Sequence, residues 1–362
     1  MNKKIIDISH KPKPNNKLFF GDYGQFIRID KIRHPTLKKL YEHSESNTWF
    51  HSEVNYDADA VGFDTLPDEA KRMFRLNIAY QTLLDSGVTN IFSELAKVAT
   101  VPELQYLYRR ISLEENIHSL SYSNGLDIVF GEKAEEMLDT VYSDPFVKRR
   151  LDNEVDGAER FLELCIEKNE SGDEAKKSIL MLLGSTFILE GIKFPFSFFV
   201  TWTINKSFNN PIQGFTKALR LIAWDELTIH TSTGYIVLNT LMEDETQGFK
   251  HLQGWFKKQM TDFVKLTVEQ ELEWSKYLLK EGNIAGFNED IGEHFIKYWA
   301  DFRLKQLNLP VIYKEKTSDV INWFNRYRDL NSTQVALQES STMNYQKGKL
   351  NDDLHLFEHI TI

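Results

Sequence analysis

Glu115-Asn-Ile-His118 sets a carboxylate and an imidazole at i and i+3, and Asp225-Glu226-Leu-Thr-Ile-His230 repeats the pairing at i and i+4. Either spacing puts both side chains on one face of a helix, within reach of one metal ion. Two more carboxylates stand alone in apolar runs: Asp85 in Ile78-Ala-Tyr-Gln-Thr-Leu-Leu-Asp85, and Glu190 in Leu182-Leu-Gly-Ser-Thr-Phe-Ile-Leu-Glu190. A lone carboxylate among apolar neighbours is costly to bury, so each requires a cation or a strong partner. A single Glu–His pair is more often a solvated pair, and Asp85 alone could be a hydrogen-bonded structural acid. The six together, in this order on four stretches, carry the metal reading: Asp85, Glu115, His118, Glu190, Glu226 and His230. Hard oxygens with imidazole suit iron or manganese, and the set matches a helical bundle holding two such ions.

Tyr122 follows His118 by four residues and Glu115 by seven, on the same face. Phe194 and Phe198, four and eight residues after Glu190, and Ile222, four before Glu226, could wrap it in water-poor surroundings. A tyrosine so placed is ordinarily core packing. Beside an oxidising metal pair, the same pocket would protect a one-electron-oxidised phenol from reduction. The one cysteine, Cys165, excludes a disulfide framework, a zinc ribbon and a Cys-ligated iron–sulfur cluster within the chain.

The elements that must position these groups read as helices. Only nine prolines occur, none between Ile212 and Leu309, and no alternation is sustained enough to build a sheet. Helices are expected over about 65–97, 102–130, 145–169, 174–205 (kinked at Pro195), 215–242, 247–281 and 289–307. A short hairpin at 18–33 is the weakest expectation. The most apolar segment, Ile179 to Trp202, is long enough to span a bilayer, but Glu190 and Lys193 interrupt it, so a buried core helix is the better reading.

At 362 residues with 41% hydrophobic content, the chain can bury a sizeable core. Its net charge of −10 argues against general nucleic-acid binding, and no signal peptide precedes the fold, which fits the cytoplasm. Charge is uneven. Residues 1–40 form a basic arm, 41–328 the helical domain, and 329–362 a polar, acidic tail without strong periodicity. The tail ends in an amphipathic stretch, Leu354 to Ile362, suited to ordering on a partner.

From about Trp49 to the C-terminus the chain resembles the small, radical-generating subunit of class I ribonucleotide reductase. The resemblance rests on Leu83-Leu-Asp85-Ser, Glu115-Asn-Ile-His118-Ser-Leu-Ser-Tyr122, Leu189-Glu190-Gly-Ile-Lys-Phe194 and Leu221-Ile-Ala-Trp-Asp225-Glu226. It implies an all-α, ferritin-like bundle that forms a homodimer and holds a di-metal site, Fe2 first, with Mn2 or Mn/Fe as variants. It further implies a Tyr122 radical formed with O2 and passed to a large α subunit, where ribonucleotides are reduced. Trp49, Asp225 and His118 match the family's hydrogen-bonded chain at the metal site. Tyr345 matches the tail tyrosine that relays the radical, and the tail itself matches the segment docking the large subunit. The resemblance departs at Glu226-x-x-x-His230, where the family usually has two intervening residues; a π-bulge would absorb the third. The competing readings are a free-standing di-metal O2-dependent oxidase or monooxygenase on the same bundle, and a ferritin-type metal store.

Overall fold

The computed structural model describes residues 11, 13, 15–22, 28 and 31–330, except the side chain of residue 153. Among these the chain is helical, with only two isolated β-bridges, Phe19 to Ala99 and Ile284 to Phe287. The helices are α1 (Pro35–Ser46), α2 (Asp57–Asp64), α3 (Asp68–Val98), α4 (Pro102–Phe130), α5 (Lys133–Ser143), α6 (Pro145–Phe161) and α7 (Asp173–Ile188). They continue as α8 (Phe194–Ser207), α9 (Gln213–Trp224), α10 (Thr231–Glu243), α11 (Gln253–Leu278), α12 (Glu289–Gln306) and α13 (Asp319–Arg328). The helix expected over 102–130 spans those residues, and the others shift by a few positions. The expected hairpin at 18–33 falls partly outside the described residues; its described part forms only the Phe19–Ala99 bridge.

Local chemistry sets the boundaries. Pro102 and Pro145 occupy first turns, where the missing N–H costs nothing. The Asp144 carboxylate caps α6 by accepting from the N–H groups of Phe146 (2.8 Å) and Val147 (3.1 Å). Asn288 caps α12 through the N–H of Ile291 at 2.9 Å. Gly131, at φ 55°, ends α4 in a conformation that a side chain would disfavour. Thr65, expected to open α3, instead bonds the Gly62 carbonyl at the end of α2, and α3 starts after Pro67.

Three helices contain π turns with i→i−5 bonds. Lys168 N–H reaches Glu163 O, Phe194 N–H reaches Leu189 O, and Thr231 N–H reaches Glu226 O. The break expected at Pro195 takes this form: the π turn Leu189–Lys193 lies just before it. Pro195 has no N–H for the Gly191 carbonyl, and the Arg303 Nε–H takes that place at 3.1 Å. The apolar helix from Asp173 to Ser207 is buried over 94% of its most apolar stretch, so its apolar surface is taken up by the core.

α3 (31 residues) and α4 (29 residues) run against each other, each about 45 Å long. α8 packs on α3, and the turn Asp225–His230 packs on α4 and on the turn Leu189–Lys193, closing a ring of four helical segments. Around it, α1 and α2 cover α4, α6 covers α7, and α11 covers α6, α7 and α12.

The N-terminal segment is fastened to this body. Leu18 and Phe19 are buried; Leu18 donates its N–H to Gln247 Oε1 (2.9 Å) and accepts from Thr100 N–H (2.8 Å). Residue 40, the expected end of the basic arm, lies within α1. α13 closes at Arg328, where the tail is expected to begin.

Candidate metal centre

Each segment of the ring contributes buried ligand-type side chains: Asp85 from α3, Glu115 and His118 from α4, Glu190 from one π turn, and Glu226 and His230 from the other. They form two overlapping groups, Asp85, Glu115, His118 and Glu226, then Glu115, Glu190, Glu226 and His230. Within each, the ligand atoms all lie within 4.8 Å of one another. Glu115 and Glu226 belong to both, as bridging carboxylates would. The turn Asp225–His230 accommodates three residues between Glu226 and His230 while keeping both in the cluster.

The facing atoms do not satisfy one another. His118 Nδ1 lies 3.1 Å from Glu226 Oε1 and 3.5 Å from Glu115 Oε2, and His230 Nδ1 lies 2.7 Å from Glu226 Oε2. Yet both Nδ1 atoms and both oxygens of Asp85, Glu115, Glu190 and Glu226 lack a hydrogen bond of acceptable direction. Ten polar atoms buried without partners are what a buried cation site requires and what a folded core otherwise avoids. The residues therefore fit a pair of hard metal ions.

Electrostatics agree. Burial first, then the charges of Glu115 and Glu226, drives Asp85 well above the ordinary carboxylate range. Burial and Glu226 do the same to Glu190. Burial also opposes ionisation of Glu226, but His230, Glu190 and His118 outweigh it and hold Glu226 low. Burial would lower both imidazoles, but surrounding carboxylates raise them, Asp225 foremost for His118 and Glu226 for His230.

The outer nitrogens are occupied. His118 Nε2 meets Asp225 Oδ2 at 3.0 Å, and the same oxygen accepts the Trp49 indole N–H at 2.8 Å. The Trp49 and His118 rings stack at 5.9 Å. Asp225 is pushed up to about 6, by burial before any charge. His230 Nε2 meets Glu114 Oε2 at 3.1 Å. Glu114 was not legible as a site residue: it reads as one of two adjacent acids, and its partner lies 116 positions away.

The Tyr122 hydroxyl is fully buried without a hydrogen bond. Burial, then the Asp85 charge, drives its ionisation far up, so the phenol stays protonated. Phe194, Phe198 and Ile222 are all buried, and Phe194 and Phe198 stack at 5.8 Å. Tyr345 lies outside the described residues.

The family profile described as "Ribonucleotide reductase, small chain" matches residues 27–320. Among curated relatives, the ribonucleoside-diphosphate reductase subunit beta of Buchnera aphidicola subsp. Baizongia pistaciae is 29% identical, over 94% of this chain and 95% of its own. That of Enterobacteria phage T4 is 27% identical, over 98% and 96%. Among solved structures, the ribonucleotide reductase R2 subunit from Clostridium botulinum superimposes with a TM-score of 0.79 at 22% identity, covering 91% of this chain and 99% of that one. The dimanganese(II)-NrdF of Streptococcus sanguinis gives 0.67 at 17%, covering 84% and 99%. At these identities, the structural matches speak for the fold.

Proposed function

The chain belongs to the ribonucleotide reductase small-chain family, and on that premise we propose that its buried cluster holds two iron ions and that Tyr122 is the residue oxidised beside them. It is the β subunit of a ribonucleoside-diphosphate reductase, an oxidoreductase that works with a large subunit. Asp85, Glu115, His118, Glu190, Glu226 and His230 are the proposed ligands. Manganese, alone or with iron, suits the same donors. One observation carries the reading: ten unpaired ligand atoms converge beside a buried tyrosine hydroxyl that is itself unpaired.

When bound, such a pair supplies the reduction of O2 that takes one electron from Tyr122. The chain's own residues do the rest. Asp225 and Glu114 accept from the outer nitrogens, so each imidazole presents Nδ1 inward. Asp85, whose charge bears on Tyr122 more than any other, is the proposed acceptor of the Tyr122 proton when the phenol is oxidised. The complete burial of Tyr122 keeps water and reductants from the radical. The Trp49 indole, bonded to Asp225 behind His118, gives the oxidising equivalent a way out. Tyr345 and the tail 329–362 carry it on to the large subunit in this reading, and the domain proper ends with α13.

The outward faces of α3 and α4 support a homodimer. Ser86, Gly87, Asn90, Leu113, Asn116, Leu120 and Ser123 are exposed and uncharged, and the large apolar members Leu113 and Leu120 are about half exposed. Among the described residues, the single helix apolar enough to span a membrane is buried in the core, which supports a soluble enzyme, as the expected cytoplasmic location requires.

The test is electron paramagnetic resonance after loading with iron, manganese or both and exposure to O2. A tyrosyl signal is expected in the parent and none in Tyr122→Phe, with two ions per chain in each. A signal that persists in the variant would sink the assignment.

A further inference from the structure

The two imidazoles of the cluster are backed by different carboxylates, and the second backing is the less expected. Behind His118, Asp225 is bonded to a neutral indole. Behind His230, the buried Glu114 uses Oε2 for the imidazole at 3.1 Å, and its Oε1 accepts from Ser44 Oγ and from Arg110 Nε at 3.3 Å. Arg110 is held in turn by Ser44 Oγ (2.7 Å), the Ser44 carbonyl (3.3 Å) and Thr48 Oγ1 (2.8 Å). Glu114 is thus clamped from α1 and from its own helix, one residue before Glu115, which belongs to both candidate ligand groups.

We propose that Glu114 is the positioning residue that fixes His230 for the second metal ion. This rests on the two-metal reading and concerns a residue outside the proposed ligand set. A carboxylate only accepts, so Glu114 requires the His230 proton on Nε2 and leaves the Nδ1 lone pair facing Glu115 and Glu226. The competing arrangement is close at hand. His230 Nδ1 is 2.7 Å from Glu226 Oε2 but out of line with it, so a proton on Nδ1 and a small turn of the ring would join the two by an internal hydrogen bond and close the position to a cation. Glu114 holds the ring out of that trap. The sequence sets His230 at i+4 from Glu226, the π turn accommodates that spacing, and the outer nitrogen needs a partner at the place the turn brings it. The guanidinium of Arg110 balances the added carboxylate, so Glu114 supplies direction to the imidazole without a further net negative charge beside the cluster.

The experiment titrates full-length protein anaerobically with Fe(II), counts bound iron after desalting, and records melting of the metal-free form. Four proteins are compared: parent, Arg110→Met, Glu114→Gln and the double variant Arg110→Met/Glu114→Leu. The double variant replaces the ion pair by apolar groups, so no charge is stranded. The expected result is two ions for the parent, and for Arg110→Met, which removes one of the two donors on Glu114 Oε1, a second ion weakened less than in the double variant. In the double variant the first ion stays at parent affinity and the second is weakened about 10–100-fold, the usual effect of losing such a backing group. Glu114→Gln, which keeps an acceptor oxygen for Nε2–H, recovers most of the second affinity. Two ions at parent affinity in the double variant would overturn the proposal and leave the two-metal reading standing. Equal weakening of both ions with a lowered melting temperature would reduce Glu114 to a structural residue and overturn it too. A parent that binds no iron would remove the two-metal reading and this inference with it.

Discussion

Trp49 has one polar atom, and that atom is bonded to the carboxylate behind His118. Trp49→Phe keeps an aromatic ring but has no N–H, and so breaks this link. The expected outcome is a Tyr122 radical that forms normally and is not passed on: the tyrosyl signal survives while reductase activity with the large subunit falls to background. Parent-level activity would exclude Trp49 from transfer. The six residues of the buried cluster could be singled out in the sequence because an acid in an apolar helix has few uses. Glu114 and Asp225 were harder, since their work depends on partners that only the fold brings near; Asp225 was found through the resemblance and Glu114 not at all. Cys165 offers a test by pH. Its thiol donates to the Ala175 carbonyl at 3.6 Å, and burial raises its pKa. A folded-state pKa above the unfolded one means a contribution present at neutral pH and lost as pH climbs past about 8.5. Urea unfolding at pH 7.5 and 10 should therefore show the parent losing more stability than Cys165→Ala; equal losses would refute the assignment.

Helix extents were largely readable from proline placement and apolar spacing, because both act locally. The π turn in Asp225–His230 was foreseen from an extra residue between two ligands, whereas the one in Leu162–Glu167 left no such mark. Long-range ion pairs were also invisible. Arg150 and Glu271, 121 positions apart, form two 2.7 Å bonds where α6 meets α11, and both side chains are almost wholly buried. The guanidinium lies 3.6 Å from the Tyr80 ring centre and 4.6 Å from that of Trp274. Glu271→Gln leaves a buried cation without its counter-charge and should cost about 3–5 kcal/mol in denaturant unfolding. An apolar double replacement, Arg150→Met with Glu271→Leu, should cost much less. If the single variant unfolds like the parent, the pair contributes nothing to holding α6 on α11.

At the scale of the molecule, a bundle proposed to make the radical is followed by a tail proposed to deliver it. Deleting residues 331–362 should leave bound iron, melting temperature and the sedimentation of a dimer as they are, and abolish reductase activity with the large subunit. Retained activity would refute the tail's role, and a parent that sediments as a monomer would remove the homodimer.

The fastening of Leu18 to Gln247 bears on how the protein is made. The two residues are 229 positions apart, so at about 5–20 residues per second a ribosome needs roughly 10–50 s to produce the second after the first. For that interval Phe19 has emerged while Phe249, whose ring lies 6.5 Å from it in the finished fold, does not yet exist. The segment around Leu18 and Phe19 therefore cannot take its final place until Gln247 and Phe249 have been made, and its two apolar side chains wait uncovered for most of synthesis.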